Sequence, residues 1–216
     1  MDSSKRYECH AHTFYSDGEL SPMELVRRAF VMDHALIALT DHVDFSNIEH
    51  VLSCQKKILP EISWDIKVLV GVELTHIPKD KIPKLVSQAK KLGAQVVIVH
   101  GESPVEPVEE GTNDVAVNLP DVDIIAHPGN ITVEQAERAG ENGIFLELTS
   151  RRGHKQGNRR VAEAALAAGA KMLVNTDAHS PEDLITQKQA FDIAVESGLS
   201  EKQALQTISE NPKILL

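Results

Sequence analysis

The stretch Gln95-Val96-Val97-Ile98-Val99-His100 is apolar at four consecutive positions and ends abruptly on a histidine. A run of Val and Ile without polar alternation is the pattern of a parallel strand covered on both faces. Similar runs recur along the chain at Tyr7–His12, Ala35–Thr40, Ile66–Glu73, Asp123–His127, Gly143–Leu148 and Lys171–Thr176. Amphipathic helical stretches separate them. Ser21-Pro22-Met23-Glu24, Thr132-Val133-Glu134-Gln135 and Ser200-Glu201-Lys202-Gln203 carry helix-start spacing, and Pro22 and Pro181 suit a first helical turn. Seven β units with no linker, repeat or change of composition predict one α/β domain over residues 1–216.

The strand ends separate a barrel from an open sheet. Strand one finishes in His10-Ala11-His12, strand two runs into Asp41-His42, strand three ends at Glu73 and strand four at His100. Strand five ends at His127 and strand seven at Asp177-Ala178-His179. An open sheet gathers ligands at one switch point, whereas a barrel brings every strand end to its C-terminal mouth. The pattern therefore predicts a barrel with a metal site at that mouth. Residues i and i+2 of a strand share a face about 6.5–7 Å apart. His10 with His12, and Asp177 with His179, can each close on one cation, with Asp17 in the following loop. Cys9 and Ala11 are then expected to point toward the covering helices, with Cys9 a core residue.

Mixed imidazole and carboxylate donors suit Zn, Mn or Fe, and no thiolate set indicates a closed structural zinc site. The candidates, His10, His12, Asp17, His42, Glu73, His100, His127, Asp177 and His179, outnumber what one ion needs. Two or three divalent ions are expected, with Glu73 bridging. His34, His50 and His76 lack the strand-end pattern and are read as surface or capping residues. His154 lies in the basic run Arg151–Arg160, where Arg151 and Arg152 are the candidates for holding a phosphate, since guanidinium forks bind it bidentately.

The net charge of −10 argues against a nucleic-acid partner but allows a small phosphorylated substrate held by a local positive centre. Two cysteines make no disulfide framework, the N-terminus from Met1 to Glu8 lacks an apolar leader core, and no run is long enough to span a membrane. A cytoplasmic location is expected.

In order, His10-x-His12, Ser16-Asp17-Gly18, Thr40-Asp41-His42, Gly71-Val72-Glu73, His100, Ala126-His127-Pro128 and Thr176-Asp177-Ala178-His179 resemble the PHP (polymerase and histidinol phosphatase) superfamily. The likeness covers residue 8 to Asn211-Pro212, and the stand-alone YcdX-like phosphatases are the most similar within it. The resemblance implies a distorted (β/α)7 TIM-like barrel with a trinuclear site. One ion would take His10, His12, Glu73 and Asp177. A second would share Glu73 and add His100 and His127. A third would take His42 and His179, with Asp17 where YcdX-like members place a histidine.

The reading is a metal-dependent phosphoesterase of a small phosphorylated metabolite, in which a metal-bridging hydroxide attacks phosphorus. Glu73, Asp177 and His179 are its expected catalytic residues, and Arg151 or Arg152 its phosphate contacts. Two alternatives are an amidohydrolase-type barrel and a non-catalytic or RNA-processing PHP-like barrel. The first commonly carries a lysine late in strand four, where this chain has Val97-Ile98-Val99-His100. The second favours a basic surface and has no need of the full ligand set.

Overall fold

The computed structural model describes residues 5–216; Met1 to Ser4, the start of the polar N-terminal stretch, lie outside them. The strands are β1 (Arg6–Glu8), β2 (His34–Leu39), β3 (His42–Val43), β4 (Lys67–Leu74), β5 (Val96–His100), β6 (Ile124–Ala126), β7 (Phe145–Thr149) and β8 (Met172–Asn175). The helices are α1 (Pro22–Val31), α2 (Ile48–Ile58), α3 (Ile82–Lys91), α4 (Thr112–Val117), α5 (Val133–Glu141), α6 (Asn158–Ala168), α7 (Gln187–Glu196) and α8 (Glu201–Leu205). All strand pairs are parallel, in the order β1-β2-β4-β5-β6-β7-β8, with two-residue β3 laid on the upper half of β4. The result is the expected near-closed (β/α)7 barrel.

Alternation sorts the strand residues into two layers. Val96 and Ile98 of β5 share the inner face that leads to His100, and they pack with Leu36, Ala38, Ile124, Phe145 and Leu173 inside the barrel. Val97 and Val99 face outward into the larger cluster beneath the helices. Both faces are buried, which is why the strands read as unbroken apolar runs. A Cβ on Gly71 would sit 2.6 Å from the Val96 carbonyl oxygen, so glycine is what lets β4 and β5 approach. The expected caps form: Ser21 accepts from Glu24 N, while Thr132–Gln135 and Ser200–Gln203 make reciprocal capping boxes.

The seam between first and last strands departs from the expected pattern. β1 stops at Glu8 rather than running to His12, because the backbone beyond it bonds to side chains. Cys9 N donates to Asn175 Oδ1 (3.1 Å), and both His10 N (3.1 Å) and Thr176 N (3.0 Å) donate to Glu8 Oε1. Main-chain pairing resumes only at the Ala11–Ala178 bridge, where His12 N donates to Ala178 O at 2.8 Å. Glu8 is held in turn by Arg6, whose Nη2 lies 2.9 Å from Glu8 Oε2 and 2.6 Å from the Val174 carbonyl oxygen. Because the alternation resets there, Cys9 is a core residue of the inner cluster with Leu36 and Ala38, not of the layer under the helices. Ala11 does lie in the outer layer, with Leu25 of α1.

His34 was expected at the surface and is instead buried at the start of β2. Burial, reinforced by the Arg6 guanidinium, pushes its pKa down to about 3, so it stays neutral.

Candidate metal centre

All nine candidate ligands stand at the C-terminal mouth. His100 is the last residue of β5 and Glu73 the last but one of β4. His127 follows β6 directly and Asp177 lies two residues past the end of β8, both with positive φ, 30° and 53°. Backbone in that region costs about 1–3 kcal/mol for a non-glycine residue and persists where surroundings over-determine it. At His127 the restraint is visible, since its N–H donates to Glu147 Oε2 at 3.0 Å. The Asp17 loop is tied down by Asp41, which accepts from Thr13 N (2.7 Å), Ser16 Oγ (3.0 Å) and Gln55 Nε2 (2.8 Å). A Cβ on Gly18 would meet the His12 carbonyl oxygen at 2.5 Å, so the loop needs glycine to fold back.

The donor atoms form four groups, each within 4.8 Å: His10, His12, Glu73 and Asp177; His12, Asp17, His42 and His179; His100, His127 and His154; and, behind these, His10, His127 and Glu147, where Glu147 meets the Nδ1 atoms. In the first, His10 Nε2 lies 3.0 Å from His12 Nε2 and 3.3 Å from Glu73 Oε2, and His12 Nε2 lies 3.0 Å from Asp177 Oδ1. In the second, Asp17 Oδ1 sits 3.1 Å from His179 Nε2 and 3.5 Å from His42 Nε2. His42 Nδ1 reaches Glu73 Oε2 at 2.8 Å, joining the two groups. The third group differs from the implied set. Among the described residues, Glu73 lies within ion-pair distance of His10, His12 and His42 but not of His100 or His127, and His154 takes its place.

Charge balance makes these groups suited to cations. Buried Glu73 Oε2 and Asp177 Oδ1 face imidazole nitrogens of the same groups, His42 Nδ1 at 2.8 Å and His12 Nε2 at 3.0 Å, and Glu73 Oε1 is buried with no hydrogen-bond partner among the described residues. Buried carboxylate oxygens normally have donors, so Glu73 Oε1 fits a metal ion. Burial would raise Glu73, yet His10 and His42 hold it well below the usual carboxylate range, and His10 and His12 do the same for Asp177. Burial would lower His10 and His42, but carboxylates outweigh it. Glu147, Glu73 and Asp177 raise His10, and Glu73, Asp17 and Asp177 bring His42 to about 9. His12, buried and facing His42, falls to about 4.

Several residues of the site carry no strand-end signal. Glu147, buried on β7, accepts from His10 Nδ1 (2.8 Å) and Asn175 Nδ2 (2.9 Å) on one oxygen. Its other oxygen accepts from His127 N and Nδ1, both at 3.0 Å. It thereby aims the Nε2 atoms of two imidazoles. Its only sequence signal is a lone charge inside Phe145-Leu146-Glu147-Leu148. Glu106, in the loop between β5 and α4, meets His100 Nε2 at 3.0 Å. His76 is exposed, as expected, and stands at the rim of the mouth, stacked on His100 at 5.7 Å and 3.5 Å from Glu106. His50 is exposed, edge-on to Tyr15, as expected. Arg151 Nε stands 3.7 Å from Asp177 Oδ2 and its Nη1 3.2 Å from Asp183 Oδ2, at the edge of the centre. Arg152 is exposed.

A parallel barrel with clustered imidazoles and carboxylates at its C-terminal mouth is the architecture of a metal-binding (β/α) barrel protein. The PHP domain matches residues 8–119, and the chain belongs to that family. An uncharacterized protein of Methanocaldococcus jannaschii is 52% identical over 98% of both chains. A probable phosphatase of Caldanaerobacter subterraneus subsp. tengcongensis is 30% identical over 95% of this chain and 89% of its own. A ribonuclease P protein component 3 of Methanosarcina mazei is 29% identical over 93% of this chain and 84% of its own. Among solved structures, a chain of archaeal ribonuclease P with mature tRNA aligns with TM-score 0.69 at 16% identity, covering 96% of this chain and 91% of that one. Histidinol phosphate phosphatase from Lactococcus lactis, complexed with zinc, L-histidinol and phosphate, aligns at 0.66 and 17%, covering 91% and 95%. At those identities the two structures speak for the fold.

Proposed function

We propose that residues 1–216 act as one unit, a metal-dependent phosphoesterase of a small phosphorylated metabolite. The observation that carries this reading is the burial of the Glu73 and Asp177 carboxylates, Glu73 Oε1 without a partner, among imidazoles that all face one mouth. His10, His12, Glu73 and Asp177 would hold one divalent ion, and His100 with His127 a second. Bound Zn, Mn or Fe supplies an activated water and neutralises phosphoryl charge.

The remaining steps fall to the chain. Arg151 leans over Asp177 and turns its guanidinium to the phosphoryl group, exchanging its Asp183 contact for a substrate oxygen. The His42, His179 and Asp17 group is the most open part of the centre, with side chains 25%, 13% and 57% exposed. Burial would lower His179, but Asp17 and Asp177 outweigh it and raise its pKa. With two ions bound, a protonated His179 Nε2 donates to the leaving alkoxide; with three, the same group holds the third ion. Metal-replete Glu73→Ala, assayed on an aryl phosphate with Mn²⁺ or Zn²⁺, is expected to lose turnover. Wild-type turnover in that variant removes Glu73 from the mechanism.

A second reading, a protein subunit of an RNA-processing particle, is favoured by the relative named as a ribonuclease P component. The charge of −10 and the full ligand set weigh against it. Metal stoichiometry near zero after gentle purification, with binding of precursor tRNA, would favour the subunit. No helix among the described residues is long and apolar enough to cross a membrane, and we place the protein in the cytoplasm as part of the same proposal.

A further inference from the structure

The position formed by β5 and β6 has one imidazole more than the implied ligand set. His154 belongs to a 3-10 turn, residues His154–Gly157, that follows β7. Gly157 seats this turn on the loop after His127: a Cβ there would lie 3.0 Å from Gly129 Cα, a tight contact that glycine relieves. In this turn the His154 ring is buried and lies 4.1 Å from the His127 ring, centroid to centroid.

Each of the three imidazoles is anchored through Nδ1, which leaves Nε2 free to face a common point. His100 Nδ1 donates to the Gly101 carbonyl oxygen (3.0 Å), and His127 Nδ1 to Glu147 Oε2 (3.0 Å). His154 Nδ1 is hydrogen-bonded to Ser103 Oγ (2.7 Å). The three Nε2 atoms then converge. His100 and His127 present theirs 3.0 Å apart, and the Glu106 carboxylate spans His100 and His154, with Oε2 3.0 Å from His100 Nε2 and Oε1 3.0 Å from His154 Nε2. A histidine placed only for packing needs one satisfied nitrogen at each end; it has no need to aim Nε2 where two anchored neighbours aim theirs.

Building on the metal-centre reading, we propose that His154 is the third imidazole ligand of the His100–His127 position and that Glu106 is the carboxylate that closes it. The set is three nitrogens and one oxygen, suited to Zn²⁺, Co²⁺ or Fe²⁺ in four-coordinate geometry. Of the four, Glu106 is the displaceable member. It comes from the rim loop, its side chain is 35% exposed, and an incoming phosphoryl oxygen can replace its oxygen on the ion without disturbing the three rings.

The test is equilibrium dialysis of metal-stripped protein against Co²⁺, with the visible spectrum recorded on wild type, His154→Gln and Ser103→Ala. His154→Gln is expected to bind one ion fewer at a Co²⁺ concentration that saturates wild type, and to lose intensity in the band of four-coordinate Co²⁺. Ser103→Ala keeps the ligand and removes only its anchor, so it should bind that ion about 10–100-fold more weakly. Unchanged stoichiometry and spectrum in folded His154→Gln overturn the assignment while leaving the metal centre intact. Should that variant fail to fold, wild-type affinity in Ser103→Ala overturns it instead. A wild type that binds no Co²⁺ overturns the metal-centre reading itself.

Discussion

Replacing Glu147 with glutamine changes one atom and no volume, and it is expected to cost this protein both stability and metal. Four donors converge on the carboxylate, two per oxygen: His10 Nδ1 and Asn175 Nδ2 on one, His127 N and Nδ1 on the other. An amide presents one acceptor and one donor. Whichever way it turns, two donors face an NH2 group. Hydrogen bonds to a charged group contribute about 1.5–3 kcal/mol each, so two lost bonds cost about 3–6 kcal/mol. That is a large share of the roughly 5–15 kcal/mol that holds a domain together. At about 2–4 °C per kcal/mol for a chain of this size, the melting temperature should fall by roughly 6–24 °C. Burial would raise the Glu147 pKa, but His10 and His127 bring it to about 2, so the carboxylate is ionised in any ordinary buffer and the substitution removes a real charge. Metal affinity should fall about 10–100-fold, as expected when a carboxylate orienting ligand histidines is lost. Paired measurements of urea unfolding and Co²⁺ binding check both. A variant with wild-type unfolding midpoint and wild-type affinity would refute the anchoring role.

Three other substitutions probe separate parts of the molecule. Arg151→Ala should raise KM for an aryl phosphate about 10–100-fold, the value of one charge-assisted contact, whereas exposed Arg152→Ala should leave it within about twofold; steady-state kinetics with the opposite ranking would remove Arg151 from the phosphate site. His34 is neutral when folded, with a pKa near 3 against about 6.5 in the unfolded chain. Below pH 6.5 only the unfolded chain takes up this proton, so stability present above that pH declines by about 1.4 kcal/mol per unit toward pH 3. His34→Leu should flatten that part of the urea-midpoint profile, and an unchanged slope between pH 6 and pH 4 would count against the burial argument. Arg6→Met strands the buried Glu8 carboxylate, a loss of about 3–5 kcal/mol in thermal or urea unfolding; a variant as stable as wild type would show that the pair does not hold the seam.

The barrel was legible because parallel strands buried on both faces leave unbroken apolar runs, and because Glu73, His100 and His127 mark where those runs stop. What escaped was non-local. Nothing near Cys9 announces that its backbone N–H will bond to Asn175, 166 residues away, so β1 reads longer than it is. His34 carries no local sign that Arg6 and the barrel floor will enclose it. Glu147 looks like an interruption in an apolar strand until its four donors are seen together. His154 sits in a run of basic residues whose sequence does not show which way the histidine faces, and the structure packs that segment against the loop after His127, Gly157 on Gly129.

The side-chain seam between β1 and β8 also fixes when the centre can exist. The Glu8–Thr176 hydrogen bond closes a loop of 168 residues. His10 and His12 leave the ribosome early, whereas Asp177 and His179 arrive near the end of synthesis. A nascent chain therefore holds three of the four residues of each of these two groups and cannot hold an ion there with full affinity. On the proposed reading, loading would follow synthesis of the last strand, and an ion bound across the seam would fasten the first strand to the last, where the backbone ladder is thinnest. The metal would thus act as the clasp of the barrel as well as its reagent, and a metal-starved cell would accumulate chains that open from this seam first.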